Sequence, residues 1–121
     1  MTKKSDEAIL KDFVIETIKE KKGKELIVLD LRKLDQSIAD YFIICHGDSN
    51  TQVNAISGYI DRQTRTELNE HVFHIEGIEN SQWILMDFGS VVVHVFQEEF
   101  RRFYNLEDLW ADAKKELIIE D

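Results

Sequence analysis

The chain has no proline, five glycines in 121 residues and one cysteine. With no Pro- or Gly-rich stretch there is no linker, repeat or low-complexity segment at which to divide it, so one domain over residues 1–121 is expected. A chain of this length buries roughly two thirds of the surface its unfolded form exposes, and needs no disulfide or metal to fold. Cys45 has no second cysteine to pair with, which suits a reducing compartment. No apolar run approaches the ~20 residues that span a bilayer, and the opening MTKKSDEAIL lacks an apolar targeting core. Membrane insertion is excluded, and a cytoplasmic protein is expected.

Positive charge is also short. The net charge is −9, and because residues 1–24 hold seven Lys/Arg against five Asp/Glu, the rest of the chain carries −11. Nucleic-acid binding draws most of its free energy from cations that neutralise phosphates, so an acidic body argues against a direct grip on nucleic acid. It suits a basic protein partner, or serves solubility alone.

What the chain does have is hydrophobic patterning. A helix opening near Ser5 is expected from the stripe Ile9, Leu10, Phe13, Val14, Thr17 and Ile18, with Lys19, Lys21 and Lys22 at its negative end and Gly23 as its stop. Glu25–Leu31 and Tyr41–His46 read as near-continuous apolar strands separated by a loop, the second buried on both faces. Ser49 and Gln52 form a capping box that opens a helix reaching Leu68, with Val53, Ile56 and Ile60 on its inner stripe. Three short strands follow, in HVFHIEG, Trp83–Phe88 and Ser90–Phe96, the last two forming a hairpin through Gly89. A final helical stretch over Glu98–Glu116, interrupted near Asn105, completes an α-β-β-α-β-β-β-α order. The fold expected is a mixed α/β (α+β) domain with a five-stranded sheet flanked by helices.

Tests for catalysis find little. Cys45 and His46 alternate to opposite faces of a strand, His71 and His74 diverge by the same parity, and no Cys-x-x-Cys or His-Glu-x-x-His spacing occurs, so no metal site is expected. His94 shares a strand face with Val92 and Phe96 and reads as a hydrogen-bonded structural histidine. Gly47-Asp48-Ser49 sits where a helix N-terminus receives phosphate, but Asp30, Asp40 and Asp87 occur singly, without the paired carboxylates that hold Mg²⁺. A capping turn is the better reading, and no cofactor is expected. A nucleotidyltransferase-like enzyme or nucleotide-binding domain stands as the alternative.

The segments SIADYFIICHGDSNTQVNAI, IEGIENSQWILMDFGSVVVHVF and EEFRRFYNLEDLW together resemble the ribosomal silencing factor, or Iojap, family over about residues 7–112. The resemblance is carried by Ser37 before Asp40-Tyr41-Phe42, Gly47 with Ser49 and Gln52, Glu76-Gly77, Trp83 before Asp87, Val93-His94-Val95-Phe96, and Arg101 with Tyr104-x-Leu106-Glu107-x-x-Trp110. Where the family pattern usually has an acidic residue this chain has Ser90, which puts any contact by that carboxylate in doubt. The resemblance implies a nucleotidyltransferase-like fold and a non-enzymatic repressor of translation. It would bind the large ribosomal subunit through large-subunit ribosomal protein fourteen, a basic protein, and keep the subunits apart.

For such docking the resemblance singles out Glu76, Trp83 and Asp87, with Asn80 and Ser81 in the turn before the strand. Strand parity puts Trp83, Leu85 and Asp87 on one face, the outer two ~13 Å apart. On the residues alone, Trp83 serves equally well as a docking anchor or as packing against a helix; the resemblance favours docking. His94, Arg101, Tyr104 and Trp110 are family positions expected mainly to support that surface. An open sheet edge or the exposed aromatic side would also suit a homodimer.

Overall fold

The structure, a computed structural model, describes residues 6–35 and 37–118; the expected helix start at Ser5 lies outside them. At the centre are β2 (Tyr41–Gly47) and β5 (Val91–Gln97), paired in parallel. Strand β1 (Lys24–Asp30) runs antiparallel to β2, while β4 (Trp83–Asp87) runs antiparallel to β5 and carries β3 (His74–Glu76) on its outer side. Every residue of β2 is buried, as its unbroken apolar run requires, because layers cover both of its faces.

One face packs against α1 (Asp6–Glu20) and α2 (Asn50–Leu68). The buried stripe of α1 is Leu10, Val14, Ile15, Thr17 and Ile18; it is turned by about one position from the expected stripe, leaving Ile9 40% exposed. The left-handed residue that ends α1 is Lys22, with φ 59°, rather than Gly23. Glycine is needed at 23 for a different reason, since a Cβ there would lie 2.5 Å from Ile18 Cγ2. The cap of α2 also departs from a simple box. Ser49 Oγ accepts from the Gln52 N–H at 3.1 Å, but Gln52 Oε1 accepts from Asp48 N–H, one residue before the cap.

The second face is covered more thinly. The helix expected over Glu98–Glu116 is instead α3 (Glu98–Tyr104) and α4 (Leu106–Leu109), followed by a strand, β6 (Lys114–Leu117), so among the described residues the sheet has six strands, not the five expected, in the order β3-β4-β5-β2-β1-β6. Asn105 makes the break in left-handed conformation, at φ 49°, and its side-chain amide donates to Asp108 Oδ2. Strand β6 has all four residues exposed and no alternation to betray it; it exists through backbone pairing with Ile27–Asp30. The hairpin β4–β5 is antiparallel as expected, whereas the strand expected in HVFHIEG shrinks to three residues.

Candidate functional site

Burial in β4 alternates: Ile84 and Met86 are fully buried under α2, whereas Trp83, Leu85 and Asp87 are half-buried on the second face. Register extends that face sideways, since Glu76 pairs with Leu85 and His74 with Asp87 across β3–β4. Glu76 Oε1 lies 2.8 Å from His74 Nε2, both side chains being exposed. The sheet therefore brings Glu76, Trp83 and Asp87 to one surface, with Leu85 between them and His74 beside them.

Trp83 is held rather than loose. Its indole stacks on Phe96 with centroids 5.0 Å apart, meets the Tyr104 ring at 4.8 Å, and donates through Nε1 to His94 Nδ1 at 3.1 Å. That bond fixes the His94 tautomer: Nδ1 must accept, so the proton sits on Nε2, which is buried without a hydrogen-bond partner. Burial pushes the His94 pKa down to about 3, because an imidazolium there would lose its hydration. His94 is a neutral structural acceptor. Asp87 is partly committed as well, since Oδ1 accepts from the Gly89 N–H at 2.7 Å and shapes the hairpin turn.

The turn that delivers Trp83 is set by glycine. Gly77 has φ 92°, and a Cβ on it would fall 2.0 Å from the Trp83 carbonyl oxygen. Asn80 is exposed on this turn. Ser81 is not brought to the surface: it is 5% exposed, donates to the Ile78 carbonyl and accepts from Asn54 Nδ2, so its hydroxyl ties the turn to α2.

Arg101 accounts for how α3 and α4 are seated. Its guanidinium is 3% exposed and donates to Glu107 Oε1 at 2.9 Å, His46 Nδ1 at 2.9 Å and the Lys24 carbonyl at 3.4 Å. Burial first, and the Arg101 charge second, hold the His46 pKa below its ordinary value, so this imidazole also stays a neutral acceptor. Tyr104, at the end of α3, consequently lies over Trp83 while remaining 48% exposed, and Phe103, 76% exposed, meets it edge-on at 5.1 Å. Trp110 lies elsewhere on the same face, edge-on to Phe42 at 5.5 Å.

Sequence reasoning placed Tyr104 as interface or support, weighed His74 only as a metal ligand, and did not single out Phe103 or the Arg101–His46 pair. Spacing could not find the Arg101–His46 and Trp83–Tyr104 contacts, which join elements far apart in the chain; the His74–Glu76 and Phe103–Tyr104 contacts are local, but belong to no motif that marks them out. The single carboxylates remain apart: Asp30 is held by Arg32 through a bidentate pair, and among the described residues no three His, Cys, Asp or Glu side chains gather as a metal site.

The family model described as "Ribosomal silencing factor during starvation" matches residues 3–121. A ribosomal silencing factor from Bacillus subtilis is 44% identical over 94 residues, covering 78% of each chain. One from Halalkalibacterium halodurans is 38% identical over 104 residues, 86% of this chain and 87% of that one. A crystal structure of a protein from Chromobacterium violaceum superposes with a TM-score of 0.83 at 33% identity, covering 95% of this chain and 94% of the other.

Proposed function

The chain belongs to the ribosomal silencing factor family, and from that premise we propose that it docks on the large ribosomal subunit through large-subunit ribosomal protein fourteen. In doing so it blocks joining of the small subunit and represses translation, acting by occupancy and not by catalysis. The observation that carries this reading is the Trp83 surface: an indole fixed from behind by His94 and Phe96 and from the side by Tyr104, with the carboxylates of Glu76 and Asp87 on the same face. A rigid aromatic anchor loses little conformational entropy on binding, and it shields neighbouring ion pairs from water. The carboxylates suit a basic partner. Asn80 stands at the rim, while Ser81, Arg101 and His94 hold the surface from within.

The test is to mix separated small and large subunits with and without excess protein and follow reassociation by light scattering. Slower joining is expected; equal rates overturn the proposal. Trp83→Ala reads docking and folding together, since it strips His94 of its donor. Tyr104→Ala separates them: with Tyr104 48% exposed, binding to the large subunit should weaken by at least about tenfold while the melt stays within a few degrees.

A further inference from the structure

A second recognition element lies at the other end of the same aromatic face. From Trp83 the ring contacts run through His94, 6.0 Å away, to Phe42 at 4.7 Å and on to Trp110 at 5.5 Å. There the loop after β1 and the segment after α4 enclose a groove of about 280 Å³ lined by Leu34, Asp35, Leu109, Trp110 and Asp112. Among the described residues its lining side chains are apolar apart from two carboxylates, and no lysine or arginine contributes to it.

Three of its properties, taken together, bear on what it could hold. Leu109 is 73% exposed beside the half-buried Trp110, which leaves apolar area in water. Neither the Asp35 nor the Asp112 carboxylate has an ion-pair or hydrogen-bond partner among the described residues, although neighbouring acids such as Asp30, Glu107 and Asp108 all do. The Trp110 indole N–H likewise has no hydrogen-bond partner among the described residues, unlike that of Trp83. An indole, two aliphatic side chains and two unspent carboxylates together match one side-chain chemistry. Arginine fits best, because its planar guanidinium stacks on an aromatic ring while its donors meet carboxylates, and aliphatic neighbours cover the leucines.

We infer that the Leu34–Trp110 groove is a docking site for an extended basic segment of a partner protein, an arginine flanked by aliphatic residues. The inference goes beyond the Trp83 docking surface and does not depend on it: the groove uses none of Glu76, Asn80, Trp83, Asp87 and Tyr104, and takes Trp110, expected mainly as support, as a contact in its own right. Charge selects the occupant. Nucleic acid would bring phosphates against Asp35 and Asp112 with no cation among the described lining residues to receive them.

The two tryptophans allow a direct test, because each gives its own indole N–H resonance in a ¹⁵N-labelled sample. Titration with a capped peptide of alternating leucine and arginine should move the Trp110 resonance saturably, with Kd below about a millimolar, and the Asp35→Asn/Asp112→Asn double variant should weaken this by about tenfold. Leu109→Ser, at an exposed position, should weaken it too. An unchanged Trp83 resonance in each variant reports that the fold is intact. The inference is overturned if Trp110 does not respond, if both variants bind like the parent, or if a leucine–glutamate peptide or oligouridylate shifts Trp110 as strongly.

Discussion

His94 shows how much one side chain's surroundings decide. Its alternation with Val92 and Phe96 marked it as a structural histidine, and the fold makes it the acceptor that aims Trp83. What no sequence pattern reveals is its donor, eleven residues earlier on a neighbouring strand. The consequence is a defined acid sensitivity. The folded pKa, about 3, lies below the ordinary 6.5, so between those values the unfolded chain binds the extra proton and the native one does not. This contribution to stability is complete above pH 6.5 and is lost as pH falls toward 3, at up to about 1.4 kcal/mol per pH unit. Urea unfolding of the parent and His94→Phe at pH 7, 6, 5 and 4 should give curves that converge as pH falls; parallel curves would refute the assignment. At the same scale, Trp83 was legible as a special residue but open between packing and docking. The structure shows the packing, on Phe96, Tyr104 and His94, and leaves the ring half-buried; docking is the use proposed for what stays exposed.

Among the elements, those with strong periodicity were legible: α1, α2, β1, β2 and the β4–β5 hairpin fall close to the expected positions. The C-terminal part was not. Its charged, exposed residues satisfy a helix and an edge strand equally well, and only the left-handed Asn105 and the backbone partners offered by β1 decide between them. The short helices α3 and α4 have little propensity to stand alone at seven and four residues. They are pinned by Arg101, whose guanidinium bonds β1, β2 and α4 together. Arg101→Ala leaves His46 and Glu107 without that partner and should lower stability by about 3 kcal/mol. Because Tyr104 sits on the pinned helix, the Tyr104–Trp83 contact should also loosen, shifting Trp83 fluorescence at temperatures where the sheet is still folded. A single transition with no earlier fluorescence change would mean that the pin serves the core alone.

At the scale of the whole molecule, charge and topology matter most. A net −9, made of +2 up to residue 24 and −11 beyond it, would favour approach to the basic partner proposed and disfavour approach to phosphate. Association with large subunits should therefore slow as ionic strength rises through about 0.1 M, where the screening length is about 10 Å, with dissociation changing less. An on-rate insensitive to salt would remove charge as the guide. Strand order has a consequence of another kind. The outer side of β1 is closed by β6, which lies later in the chain than every other strand. During synthesis the hairpin of β1 and β2 is therefore complete long before residues 114–117 exist to cover it. For that interval the nascent chain carries an apolar strand, Leu26 to Leu29, with a bare hydrogen-bonding edge. The short, charged KKEL strand, the least conspicuous element of the native sheet, is thus the last of the described strands to be made, and its charges leave the finished edge a poor template for pairing with another chain.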